Sequence, residues 1–176
     1  MKLIDLFEQQ IVIKGSVIIP RRTITLVGYK HQGKPIAQAK VLGTFKCSYT
    51  KIKSLEEGPS YVGGNFYCSY TKITSLEGAP SYVGGIFSCY QTNITSLHNI
   101  HKQIKHIGSR LLLPDIKSHI IGVIFIKGLQ GIEFSPDNTE QKQVAAIVNK
   151  HLAGNRNIHL AQEELIEAGL AEFAKL

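Results

Sequence analysis

The chain has no tryptophan, one methionine and three cysteines among its 176 residues. An odd number of cysteines cannot all pair within one chain, so the disulfide framework of a small secreted domain is not expected; reduced, buried thiols are. The opening "MKLIDLFEQQ" puts acidic and amide side chains where a secretory signal needs a continuous apolar run. No window reaches the roughly 18 uninterrupted apolar residues of a membrane span. The nearest is the short "HIIGVIFI" at 119–126. These absences lead to the expectation of a soluble, cytoplasmic protein that makes no membrane contact.

Catalytic signatures are missing too. No G-x-S-x-G elbow presents a nucleophile. The stretch "GYKHQGKP" at 28–35 has a Gly-Lys pair without the spacing, or the following Ser/Thr, of a phosphate-binding loop. Ser, His and Asp occur only as scattered residues. The chain is therefore expected to be no enzyme and to carry no cofactor.

What is present is positive charge and repetition. The net charge is +7, unevenly spread: residues 1–46 hold eight Lys/Arg against two acids, residues 47–113 six against three, and residues 114–176 six against eight. A basic N-terminal half attracts polyanions or an acidic protein, although basic composition alone carries no specificity.

The segment "CSYTKIKSLEEGPSYVGG" from Cys47 returns as "CSYTKITSLEGAPSYVGG" from Cys68. Five apolar columns recur at 21 residues: Val41, Val62, Val83; Phe45, Phe66, Phe87; Cys47, Cys68, Cys89; Ile52, Ile73, Ile94; and Leu55, Leu76, Leu97. A fixed period of this size marks a solenoid, in which a coil buries its apolar face only against the next coil. Upstream, Ile24 and Leu26 continue the Phe and Cys columns as an entry strand. Downstream, "IGSRLLL" matches "VGGIFSC" at a spacing of 24, setting Leu111 under Phe87 and Leu113 under Cys89. The three extra residues fall in "HNIHKQIKH", where Ile100, Ile104 and Ile107 have helical spacing.

Within a coil, "NFYCS" alternates as a strand, Phe66 and Cys68 inward, Tyr67 and Ser69 outward. The preceding Gly63–Gly64 and Gly84–Gly85 pairs predict a tight bend or bulge, and Pro59 and Pro80 exclude a helix from the return arc. Cysteine suits the inward column because it is small and apolar enough to stack on its own kind.

The string F-x-C-S-x-T-x-I-T-S-L-E-G-A-P-x-x-V-G-G resembles the leucine-rich repeats of many tailed-bacteriophage proteins, over about residues 41–113. The C-terminal "IKSHIIGVIFIKGLQGIEF" and "VAAIVNKHLAGNRNIHLAQEELIEAGLAEFAKL" resemble the tail that follows such repeats. The resemblance implies a phage-encoded binding scaffold at work in the host cytoplasm, and it implies no reaction. One position departs from the family: the ladder-forming Asn is replaced by Thr50, Thr71 and Thr92, which predicts a weaker hydrogen-bonded spine.

The expected fold is α+β, a leucine-rich-repeat-like solenoid of about four to five coils. It divides into an N-terminal helix/β cap at 1–40, the solenoid at 41–113 and a helical C-terminal cap at 114–176. "KLIDLFEQQ" reads as a short amphipathic helix and "IVIKGSVIIP" as a hairpin about Lys14-Gly15. The stretch after Pro114 suits a helix or a strand, with helix favoured, and a strand follows at "GIEF". A further helix begins at Asn138 or Thr139, shares Val144, Ile147, Val148 and His151 on one face, and ends at Gly154. A last helix runs through "IHLAQEELIEAG".

His98, His101 and His106 raise the question of a metal, since His-x-x-His on a helix places two imidazoles on one side. No carboxylate or cysteine joins them at ligand spacing, and in-register cysteines point parallel at about 5 Å rather than converging. No metal is expected. The binding face is expected where outward strand residues line up, on a surface that is concave if the resemblance holds: Lys46, Tyr67, Ser88 and Leu112 in one column, Ser48, Ser69 and Tyr90 in the next, and Arg110 at the edge. Tyrosine suits interfaces because it offers a rigid ring and a hydroxyl.

The function expected is non-enzymatic docking on a host protein, a defence component for example, that inhibits or redirects it. The alternative is nucleic-acid or small-anion binding through Arg21, Arg22, Lys30 and Lys34, with Lys51, Lys53 and Lys72 on the coil edges. Coil-end self-assembly is disfavoured because both ends look capped.

Overall fold

The computed structural model describes residues 39–135 and 138–176, together with strand backbone at 11–13, 16–19 and 24–25. The N-terminal helix reading, Leu26, Arg21, Arg22, Lys30 and Lys34 lie outside the described residues.

Each repeat builds two short strands rather than one. The described strands in chain order are β1 (Ile11–Ile13), β2 (Ser16–Ile19), β3 (Ile24–Thr25), β4 (Lys40–Val41), β5 (Phe45–Lys46) and β6 (Tyr61–Val62), then β7 (Phe66–Tyr67), β8 (Tyr82–Val83), β9 (Phe87–Ser88), β10 (His106–Ile107), β11 (Arg110–Leu113) and β12 (Gly131–Phe134). They form two six-stranded sheets, β1-β2-β4-β6-β8-β10 and β12-β11-β9-β7-β5-β3. All pairings are parallel except the β1–β2 hairpin, where Ile13 faces Ser16. The second sheet takes six rungs, hence about five turns of solenoid.

The register follows the columns. Phe45 pairs with Phe66 and Phe66 with Phe87, Ile24 pairs with Phe45, and Leu111 takes its place beside Phe87 across the three-residue insertion. The inward rings of Phe45 and Phe66 stack at 5.6 Å between centroids, and those of Phe66 and Phe87 lie 4.9 Å apart. The insertion becomes the one-turn helix α1 (Ile100–Gln103), whereas Ile107, expected on the same helical face, enters β10.

The glycine pairs sit at the corner between the two sheets, and coil-to-coil contact explains them better than bending does. Neither pair has a positive φ. A Cβ on Gly84 would lie 2.1 Å from the Gly63 carbonyl oxygen, and one on Gly108 equally close to that of Gly84. Bare backbone therefore stacks on bare backbone along this corner. We expect Gly84→Ala to cost about 1–3 kcal/mol, because the added methyl must push two rungs apart. A urea midpoint unchanged by the substitution would contradict this close approach.

Beside the glycines, side chains link the coils: Thr44 Oγ1 accepts from the Asn65 backbone N–H at 3.2 Å, and Asn65 Oδ1 accepts from that of Ile86 at 2.8 Å. Thr50, Thr71 and Thr92 do not make such links. Each hydroxyl donates within its own coil, to the carbonyl of Cys47, Cys68 or Cys89 at 2.7–2.9 Å.

The stretch after Pro114 forms a 3-10 helix, Ile121–Phe125, rather than the full helix expected over 116–127. Bridges Ser96↔Ser118 and His106↔Lys127 show the reason. These residues are one more return arc, and a complete α-helix would not stay in register with the coil it covers. Ile116, Ile120, Ile121, Ile124 and Ile126 are all buried there. The in-register pairing thus runs on past residue 113 to β12, whose Ile132 lies beside Leu111.

Two helices close this end. Helix α2 (Thr139–Ala153) is capped by Asn138, which accepts from the Gln141 N–H, and it buries Val144, Ile147, Val148 and His151 as expected. Its Asn149 amide accepts from Ile132 N–H at 2.7 Å and donates to Ile132 C=O at 3.1 Å. One side chain thereby satisfies the edge that another strand would otherwise pair with. Helix α3 (Ile158–Glu167) starts at an Asn157 cap and stops before Gly169, whose φ is +78°. The Arg156 guanidinium donates to the carbonyls of Ile124, Ile126 and Leu129. Among the described residues no helix is long and apolar enough to cross a membrane.

Candidate functional site

The outer face of the second sheet carries the column Lys46, Tyr67, Ser88, Leu112, Glu133, each residue beside the next in register. Lys46 places its ammonium 5.6 Å from the Tyr67 ring centroid, a cation–π contact. Asn65 Nδ2 donates to the Tyr67 hydroxyl at 3.0 Å. At the other end Arg110 pairs with Glu133, and the Tyr90 phenol lies within the influence of the same carboxylate. Burial first, then the Glu133 charge, raises the Tyr90 phenol above its ordinary pKa, with Arg110 opposing. The face is held in place at both ends by contacts among its own side chains.

Ser69 and Ser88 point outward as read from the alternation, yet they are only 8% and 4% exposed. Serine is shorter than the flanking Tyr67, Tyr90 and Leu112, so the larger side chains close over it. The two hydroxyls satisfy each other at 2.8 Å. They form the floor of the face and are not free contact points. Ser48 and Leu112 are half-buried, while Lys46 and Arg110 are exposed. Glu133 escaped the sequence reading because β12 could not be aligned before its partner strand was known.

Two aromatic ladders also went unread. On the outer face of the first sheet Tyr61, Tyr82 and His106 stack at 4.6 and 4.4 Å with rings within 7° of parallel. The recurrence of "PSYVGG" held the signal. The second ladder is at the turn after the second-sheet strand, where Tyr49 and Tyr70 stack at 4.6 Å and 8°. These two are exposed, 78% and 51%, and both have left-handed backbone, φ +62° and +58°. Gln91 holds the same position and conformation in the next coil, φ +53°.

Left-handed backbone costs a residue with a Cβ about 1–2 kcal/mol, and two tyrosines incur it twice. One stacked ring pair returns only about 0.5–1.5 kcal/mol. The fold alone would be served as well by Asn or Gly at these turns.

The three histidines do not converge. His98 Nδ1 meets the Leu176 carbonyl oxygen at 3.0 Å, His101 packs on Phe125, and His106 belongs to the ladder. Burial, followed by Lys102, Lys105 and His98, lowers the pKa of His101. The cysteine column is buried as expected. Each thiol donates to a carbonyl of the following coil, Tyr67, Ser88 or Leu112, at 3.3–3.5 Å. Among the described residues no group of three or more His, Cys, Asp or Glu is placed to hold a metal ion.

Comparison of the chain with protein-family models, with curated proteins and with solved structures gives no match.

Proposed function

We propose that this protein is a non-enzymatic interaction module that docks on a protein partner through the outer face of its second sheet. The observation that carries the reading is the arrangement of Lys46, Tyr67, Tyr90, Arg110 and Glu133 on consecutive rungs. Two tyrosines, a cation on a ring and a charge pair are held over a floor of mutually satisfied serines. Such a surface loses little side-chain entropy on binding and offers Tyr and Arg, the residue types that dominate interface energetics. The resemblance to tailed-phage repeats makes the partner a protein of the bacterial host, a defence component for example, which the contact inhibits or redirects in the host cytoplasm.

The test is affinity capture of the tagged protein from bacterial lysate, with nuclease, at low and at high salt. The expected result is one stoichiometric protein that survives both treatments. Tyr67→Ser/Tyr90→Ser should weaken its binding at least about ten-fold, with the circular dichroism spectrum unchanged. Equal affinity in the double variant would refute this face as the docking surface. Recovery of nucleic acid alone, lost as salt rises, would move the function to the basic residues.

A further inference from the structure

The turn edge of the solenoid carries a second surface that the docking face does not use. Tyr49 and Tyr70 stand stacked and exposed there, in a backbone conformation that disfavours them. Lys51, Lys53 and Lys72 follow within four residues of the rings, and all three are exposed. None of these lysines forms an ion pair with a described residue. The acids of the same arcs, Glu56, Glu57 and Glu77, come only after the buried Leu55 and Leu76. The edge therefore joins parallel aromatic rings to unneutralised positive charge.

We propose that the Tyr49–Tyr70 ladder, with Lys51, Lys53 and Lys72, is a stacking site for single-stranded nucleic acid. A parallel ring stack is extended by another planar ring, and an unpaired base supplies one. Its phosphodiesters supply the charge that the lysines lack. A duplex keeps its base faces inside its own stack and offers only the charge. Stacking and phosphate contacts do not distinguish one base from another, so binding through them is tolerant of sequence. This inference stands apart from the docking reading, since it uses another edge of the coil and none of the same residues.

The experiment is fluorescence anisotropy of the full chain with labelled oligothymidylate and oligouridylate, against a blunt duplex and an abasic strand of equal length. The two single strands should bind at least about ten-fold tighter than the abasic strand, as stacking of one base implies. Equal binding of the two places the site on features that DNA and RNA share, and a large preference identifies which source it takes. Neutralising the three lysines as Lys51→Gln/Lys53→Gln/Lys72→Gln should remove a salt slope of about −2 in log affinity against log salt.

The decisive variant is Tyr49→Asn/Tyr70→Asn, because Asn tolerates left-handed backbone. Thermal stability should be retained or improved while affinity for the single strands falls to that of the abasic strand. Tyr49→Gln/Tyr70→Gln, which copies the residue of the third coil, gives the same reading should the first variant misfold. Unchanged affinity in these variants, equal binding of abasic strand or duplex, full competition by polyglutamate, or no binding would each overturn the proposal.

Discussion

Arginine in place of Cys68 is expected to abolish folding of the solenoid. The Cys68 side chain is completely buried, with Cys47 before it and Cys89 after it in the column. Its thiol donates to the Ser88 carbonyl at 3.4 Å, so the space beyond Sγ is already filled by the next rung. Arginine adds several heavy atoms and a charge that cannot be lost at any accessible pH. Overpacking alone costs about 1–3 kcal/mol, and an unpaired buried charge costs several more after relaxation. Together these match the whole stability of an ordinary domain, about 5–15 kcal/mol.

In a stacked fold the damage also spreads, because rungs on both sides of Cys68 lose their matching surface. Cys68→Ala provides the comparison: it removes one sulfur, adds no charge, and should fold with a modest loss. The check is solubility together with a cooperative urea transition followed by circular dichroism. A soluble, cooperatively unfolding Cys68→Arg protein would mean that the column does not face inward.

The inward columns could be read in advance because stacking forces repetition on every residue that touches its own counterpart. Phe45, Phe66 and Phe87 recur since each ring packs on the next, and the shift from 21 to 24 before Leu111 was visible once those columns were aligned. The hairpin at the N-terminal end and helix α2 rested on independent local signals: alternation about a glycine, and a cap at Asn138 or Thr139 with apolar spacing. The first sheet was missed for a physical reason. Its strands within the repeats are two residues long, as in Tyr61–Val62 and Tyr82–Val83, too short to show alternation, and the glycines after them read as a bend. The Ile-rich arc after Pro114 was ambiguous because its apolar periodicity reflects contact with the coil beside it, not a helix of its own.

The site was less legible than the fold, since exposure depends on what neighbouring rungs contribute. Ser88 reads as a surface residue from its own strand, and only the tyrosines and Leu112 around it bury it. Likewise the partnership of Tyr90 with Glu133 spans 43 positions of sequence and needs β12 to be placed beside β11. Tyr49 and Tyr70 were visible as a repeat, but their left-handed backbone was not.

The second large effect is expected in alkaline solution, where the protein unfolds by ionisation of its cysteine column. Burial pushes the Cys47 thiol up to about 12 from an ordinary value of 9.0, and burial raises those of Cys68 and Cys89 as well. The thiolate is thus favoured in the unfolded chain. These groups contribute their full stability below the unfolded pKa near 9 and lose it as pH rises toward the folded values. Above pH 9 the unfolded state has released three protons that the folded state retains. The stability should then fall by about 4 kcal/mol per pH unit, three times the single-proton slope.

A domain of ordinary stability, about 5–15 kcal/mol, cannot withstand that slope for more than a few pH units. Urea midpoints measured in reducing buffer from neutral pH upward should be flat at first and then drop steeply. Lysines and tyrosines also titrate in this range, so the informative comparison is Cys47→Ala/Cys68→Ala/Cys89→Ala. That variant starts less stable, having lost three buried sulfurs, but it should lack the steep decline. Its curve should therefore approach that of the native sequence as pH rises, because the missing thiols no longer oppose folding. Parallel curves would show that the thiols ionise as readily in the fold as out of it, which no column buried between rungs would allow.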